Sequence, residues 1–467
     1  MPDNQVGAII DEGPSDWQII QRDADGFGAF ALSGRWVAEG QATVQVRLVA
    51  QDTGVPVAAH LDWAAADTRP DGTWAATLAD VPAGGLYRLE TRLNPKDNLA
   101  GEWSTRGDMR HFLGVGDLWV IAGQSNSAGY GRGPHADPPE LGIHLFRNSE
   151  TWALASHPLN ESTDTRHAAN REGGNPAHSP YLHFARLLKQ ALGCPIGLVQ
   201  TSLGGSPLTA WNPTEPGDAV LFDNMVHCIK LVGGRVRGIL WYQGESDAGP
   251  AEAPSYEERF ANAVGAWRAA TESPGLPVIT VQLNRVYQDP SEEPDRGWSQ
   301  VREAQRRLAK SVPGIAVVPT FDCGLTDGIH TSPGGNMLIG ERMARAALGA
   351  VHGKPIDYLP PDLQTATLAP NAMSIDLAFA PVTSRMECIA LLANAFRVED
   401  ESGIVPIDTV AYPGDNRAVL RLRRPAVGPA VVHGGYGANP QPVPMDVERI
   451  LPMLGFYGVP VQPAPQE

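Results

Sequence analysis

Between Val115 and Val351, short apolar runs alternate with stretches of helix length, and that alternation limits the architectures open to the chain. The runs at 117–122, 195–201, 236–242, 277–283 and 314–319 are strand-sized and lack polar alternation. The stretches at 180–192, 220–232, 255–272, 297–311 and 334–351 predict helices. In 255–272 and 297–311, apolar residues recur every three or four positions. Strands that are apolar on both faces are buried on both faces. The pattern therefore predicts a parallel sheet covered by helices on each side. Such sheets bind ligands beyond the carboxyl ends of their strands.

The flanking regions follow a different rule. Up to about residue 113 the sequence alternates with period two, as in Val44-Gln45-Val46-Arg47-Leu48-Val49 and Leu86-Tyr87-Arg88-Leu89-Glu90-Thr91. Asp71-Gly72 and Gly84-Gly85 punctuate it, which predicts an antiparallel β-sandwich. Beyond Pro360-Pro361 the alternation returns in 373–379 and 418–422. At 467 residues the chain is too long for one core. Three domains are expected: a β-sandwich over 1–113, an α/β domain over 114–352 and a β-rich domain over 353–467. Within the second, 131–175 reads as a long loop.

Composition removes some functions. With 36 basic and 52 acidic residues, the net charge is −16. That argues against nucleic-acid partners and anionic membrane surfaces. Cys194, Cys228, Cys323 and Cys388 form no C-x-x-C pair, so buried free thiols are expected rather than a zinc site. No run approaches the roughly 18 apolar residues of a membrane helix. Met1-Pro2-Asp3-Asn4-Gln5 has no basic segment followed by an apolar one, so a soluble chain without a signal peptide is expected. Oligomeric state and compartment have no sequence signal.

Four polar segments fall at the carboxyl ends of predicted strands. They are Gly123-Gln124-Ser125, Ser202-Leu203-Gly204-Gly205-Ser206, Gln243-Gly244-Glu245-Ser246-Asp247 and Asp327-Gly328-Ile329-His330. Each alone has an ordinary explanation. A serine between strand and helix commonly caps the helix, and a Gly-Gly pair is commonly a turn. Convergence on one rim is what a catalytic site needs. A serine hydroxyl requires a base to take its proton and a third group to hold that base. Ser125 is the candidate nucleophile, His330 the base and Asp327 the acid, with Asp322 as a rival acid. The Ser125 and Gly205 N–H groups and the Gln243 amide are candidate oxyanion donors, with a helix dipole behind Ser125. Trp211, Tyr242 and Arg132, with His135, are weaker candidates for sugar contact. Glu245 and Asp247 are expected to orient the Gln243 loop or bind backbone N–H groups.

At these residues the chain resembles SGNH-type hydrolases of the sialate O-acetylesterase kind, related to carbohydrate acetylesterases. Gly-Gln-Ser-Asn at 123–126 resembles that family's nucleophile block. Gly-Gly-Ser-Pro-Leu-Thr-Ala-Trp at 204–211 and Trp-Tyr-Gln-Gly-Glu-Ser-Asp at 241–247 are similar to its second and third blocks, and Asp327–His330 to its last. Ser127 and Thr331-Ser332-Pro333 depart from the usual pattern. The resemblance implies a flavodoxin-like three-layer α/β/α core, no metal or cofactor, and hydrolysis of acetyl esters on sugars. Two other functions fit the same segments less well. One is a glycan-binding protein on an inactive hydrolase scaffold. The other is a glycoside hydrolase using Glu245 and Asp247 or Glu172.

Overall fold

The computed structural model describes residues 6–96, 104–388 and 394–464. The segment Met1–Gln5 lies outside them. All five predicted core strands are present, at Thr105–Gly123, Ile196–Gln200, Gly238–Tyr242, Val278–Val281 and Ile315–Val318. Their side chains explain why. Leu118, Trp119, Val120 and Ile121 are all fully buried, as are Ile239, Leu240 and Trp241. β-Branched and aromatic residues fit a pleated surface packed on both faces.

Across the sheet the order is Trp152–Leu154, Ile143–Phe146, Ile196–Gln200, Thr105–Gly123, Gly238–Tyr242, Val278–Val281, Ile315–Val318. All neighbours are parallel except the first pair. The chain first adds strands on one side of Thr105–Gly123 and then crosses to the other. The carboxyl end of that strand, at Gly123, is therefore the topological switch point, the place where sheets of this kind bind ligands. The helices pack in two groups. Tyr181–Leu192 packs on Pro333–Ala346, while Tyr256–Ala270 packs on both Val220–Leu231 and Glu292–Ser311.

The 131–175 segment is not wholly loop. It carries the strands Ile143–Phe146 and Trp152–Leu154, which extend the sheet by two. Ile143-His144-Leu145-Phe146 is buried at every position, and a four-residue run is too short to show any period. The Thr331-Ser332-Pro333 departure also has a local reason. Ser332 caps Pro333–Ala346, its Oγ accepting from the Gly335 N–H at 3.2 Å, and Pro333 takes the first turn.

The strand Thr105–Gly123 is 19 residues long and serves two regions. Its first part pairs antiparallel with Gly84–Pro95, and residues 117–123 pair with the parallel strands. The expected boundary at 113/114 falls inside it. Where the two regions meet, Asp117 is fully buried. Its carboxylate accepts from Arg22 Nε and Nη2, both at 2.8 Å, from Arg237 Nε at 3.0 Å and from Gln21 Nε2 at 3.2 Å. Burial alone would raise its pKa. The Arg22 hydrogen bonds and the Arg237 charge outweigh that and hold it below the ordinary value.

At the other end of the chain, Asp362–Leu368, Ser374–Ala380, Arg417–Leu422 and Ile407–Ala411 form an antiparallel sheet. Ile375, Leu377, Phe379, Ala418 and Leu420 form its core, fully buried. The buried Arg302 fastens this region to the α/β core. It donates to Leu283 O at 2.9 Å, Asn284 O at 2.7 Å and Gly437 O at 2.5 Å. All four cysteines are buried free thiols, as expected.

Candidate active site

Gly123 ends the central strand at φ +122°, where an added Cβ would stand 2.2 Å from the Tyr242 carbonyl oxygen. Only glycine fits that approach. The chain then enters the one-turn helix Ser125–Ala128. Gln124 occupies the cap position and no side chain caps the helix. Ser125 is thus not a cap; it is the one residue of Gly123–Gly129 that is not buried. With four residues the helix has little macrodipole, so that expected contribution is smaller than the sequence suggested. What the turn does offer is the Ser125 N–H, which as a first-turn donor has no intrahelical acceptor.

The Asp327–His330 loop closes on itself. Asp327 Oδ2 lies 2.8 Å from His330 Nδ1, and Oδ1 accepts the N–H groups of Ile329 and His330 at 2.9 and 2.8 Å. Burial would raise the Asp327 pKa, but the His330 ring and the two N–H donors outweigh it and keep the carboxyl below its usual range. An ionised carboxylate accepts at Nδ1–H, which fixes the tautomer with the lone pair on Nε2. Asp322 is taken elsewhere. It forms a two-pronged pair with Arg342, at 2.7 and 2.6 Å.

Asn126, the residue after Ser125, ties this loop to the serine turn. Its Oδ1 accepts the Thr331 N–H at 2.9 Å, and its Nδ2 donates to Glu245 Oε1 at 2.8 Å and, more weakly, to Ile329 O at 3.4 Å. Both neighbours of His330 are therefore held by the neighbour of Ser125. Burial raises the pKa of Glu245, whose Oε2 has no hydrogen-bond partner. The Tyr130 ring stacks on the His330 ring with centroids 4.8 Å apart and an interplanar angle of 23°. The Tyr130 hydroxyl donates to Glu172 Oε1 at 2.8 Å, and Glu172 Oε2 accepts the Gly204 N–H at 2.8 Å. Tyr130 and the positioning roles of Asn126 and Glu172 escaped the sequence analysis. No period or spacing marks a ring that stacks across so long a separation.

In the glycine segment, Gly205 is exposed at φ +69° and an added Cβ would meet nothing within 4 Å. Its backbone is open to an approaching ligand. Gln243 is different. It is fully buried, its Nε2 donates to Asp247 Oδ2 at 2.5 Å and weakly to Ser206 O at 3.4 Å, and its Oε1 accepts from the Tyr256 hydroxyl at 2.9 Å. Its amide hydrogens brace the glycine loop from behind. Asp247 also accepts the Leu208 N–H at 2.8 Å and pairs with Arg259 at 2.9 Å. It thus orients the Gln243 loop and binds a backbone N–H, the structural role expected of it.

Two candidate sugar contacts do not line a pocket. Trp211 and Tyr242 are fully buried. Trp211 packs edge-on to Trp241 and donates to Ser206 Oγ at 3.0 Å, while Tyr242 meets Thr331 Oγ1 at 3.2 Å. Aromatic residues beside these candidate segments serve the core. Arg132 is exposed and lies beside the acid–histidine loop, its N–H donating to Thr326 Oγ1 at 2.9 Å. His135 is exposed too, with its Nδ1 at 3.1 Å from Gly133 O.

The chain is similar to known proteins. The family described as carbohydrate esterase, sialic acid-specific acetylesterase, matches residues 115–349, half of the chain. A curated Arabidopsis thaliana protein named "Probable carbohydrate esterase" is 28% identical over 256 residues, covering 50% of this chain and 90% of that one. The crystal structure of a carbohydrate acetylesterase from Xanthomonas citri superposes with a TM-score of 0.64 at 23% identity, covering 95% of this chain and 97% of that one. A solved Arabidopsis thaliana protein matches at 25% identity and a TM-score of 0.43, covering 50% of this chain and 98% of its own. The chain belongs to the carbohydrate esterase, sialic acid-specific acetylesterase family and is an ester hydrolase.

Proposed function

We propose that the protein removes O-acetyl groups from carbohydrate, sialic acid or a plant or bacterial polysaccharide, by a Ser125–His330–Asp327 acyl-enzyme mechanism. The observation that carries it is the Asp327–His330 hydrogen bond, held against the serine turn by Asn126. Ser125 Oγ attacks the ester carbonyl carbon as His330 Nε2 takes its proton. The carbonyl electron pair moves to oxygen, which the Ser125 and Gly205 N–H groups stabilise. Gln243 acts in this scheme by holding the glycine loop. When the tetrahedral intermediate collapses, His330 protonates the leaving sugar hydroxyl. Water, deprotonated by His330, then attacks the acetyl-serine and releases acetate. Asp327 keeps the imidazole oriented throughout. Arg132 supplies a polar group at the rim for the sugar.

The same proposal extends to architecture. The two helix groups form the outer layers of a flavodoxin-like three-layer core, and the β-rich regions 1–113 and 353–467 are sandwich-type domains flanking it.

Acetate release from a panel of acetylated sialic acids, xylans and pectins identifies the substrate. Ser125→Ala is expected to lower turnover on the preferred substrate by at least about ten-thousand-fold with the thermal midpoint unchanged. Undiminished turnover refutes the nucleophile. Binding of the glycans with no turnover in the parent protein would favour the non-catalytic alternative.

A further inference from the structure

A second cluster of chemistry lies under the 131–175 segment. Asp137, His157 and His178 come from three separate stretches of chain, and their ligand atoms lie within 4.8 Å of one another. His157 Nε2 is 3.0 Å and His178 Nε2 3.3 Å from the same oxygen, Asp137 Oδ2. Donor atoms held about 2.0–2.2 Å from a tetrahedral ion stand roughly 3.3–3.6 Å apart, so these two separations are near the edge of such a site, and the third lies within 4.8 Å. The His178 and Asp137 side chains are fully buried, and that of His157 is 8% exposed. His178 Nε2 lies 3.3 Å from Asp137 Oδ2 without hydrogen-bond alignment, and its Nδ1 faces the Asn336 amide N–H₂ at 3.4 Å, so binding an ion at Nε2 displaces a proton from that nitrogen. The other carboxylate oxygen, Asp137 Oδ1, accepts from Arg186. A ligating carboxylate is ordinarily steadied in this way.

A fourth group stands at the edge. The exposed His135 ring lies edge-on to His178 and His157, with centroids 4.7 and 5.7 Å away. Its Nδ1 faces the Gly133 carbonyl, which can only accept, so the proton sits on Nδ1 and the lone pair on Nε2. That is the tautomer a metal ligand needs.

We propose that Asp137, His157 and His178 bind a divalent transition-metal ion, with His135 or water in the fourth position. Two or three imidazoles with one carboxylate suit zinc. The ion would fasten the 131–175 segment to the stretch entering helix Tyr181–Leu192. Through Glu172 and Tyr130 that segment touches both the glycine loop and the His330 ring. The role is structural and takes no part in the acyl transfer above, so the two proposals stand or fall separately.

The test uses the full chain, stripped with a chelator, dialysed against zinc chloride and assayed for bound metal. About one zinc per chain is expected, with cobalt chloride giving the visible absorption of a tetrahedral site. Removing the ion should lower the thermal midpoint by at least about 3 °C. His157→Ala should cut bound zinc at least about tenfold, and His157→Gln gives the same test if the first variant folds poorly. Zinc at background levels in the parent protein overturns the site. It would mean that Asp137 accepts two imidazole N–H groups and no ion. Zinc retained undiminished in both variants overturns it too.

Discussion

The two ends of the parallel part of the strand Thr105–Gly123, at Asp117 and Gly123, show how one fold separates structure from a candidate site. At Asp117 the strand begins its parallel part inside a closed network. The carboxylate is fully buried, and two arginines and a glutamine use its lone pairs. At Gly123 the strand runs out into a turn where polar groups are left open. Ser125 is partly exposed and the Gly205 backbone faces open space. Burial of a satisfied polar group stabilises; an unsatisfied one at a cleft is available for a substrate. Substitutions at the two ends should therefore damage different properties.

The largest effect beyond Ser125 itself is expected at Asp327. Asp327→Asn removes the carboxylate that fixes the His330 tautomer, and kcat should fall about 10³–10⁴-fold with stability nearly unchanged. Steady-state kinetics beside a thermal melt measures both. An unfolded variant, or one with full activity, breaks the contrast.

Asp117→Asn is the converse. It leaves Arg22 and Arg237 without their charge partner and should cost about 3–5 kcal/mol of stability, read from denaturant unfolding. Activity of the folded fraction should persist. The sign of the pH dependence follows from the lowered Asp117 pKa. A depressed carboxylate contributes fully above its unfolded value and loses that contribution as pH falls through its folded value. The stability gap between parent and variant should hold from pH 8 to 5 and close below about pH 4. A gap that widened in acid would contradict the network.

The smallest effect is expected at Asn126, which belongs to both categories. Asn126→Ala keeps every reacting atom but releases Thr331 and Ile329 from the serine turn. A loss of about 10–100-fold in kcat, with KM little changed, is the expected signature of misplacement. A change in KM alone would assign Asn126 to substrate binding instead.

Much of this contrast was legible in the sequence. The buried runs that became strands 196–200 and 238–242 are apolar apart from Gln200. The segments carrying Ser125, Gly205, Gln243 and His330 fall at strand ends because the fold puts strand ends on one rim. What stayed hidden was side-chain direction. Trp211 and Tyr242 flank the candidate segments, yet both are buried in the core. Gln243 is buried too, held by Asp247 and Tyr256. The stacking of Tyr130 on His330 and the meeting of Asp137 with His157 and His178 are tertiary events that no local pattern encodes.

The most direct measurement is covalent. A small fluorophosphonate reacts with a serine only when a base takes its proton. Incubated with the protein and read by intact mass and peptide mapping, it should give one adduct per chain, on Ser125, and none in His330→Ala. An unlabelled protein that still hydrolyses acetyl esters, or an adduct on another residue, would contradict the assignment of Ser125 and His330.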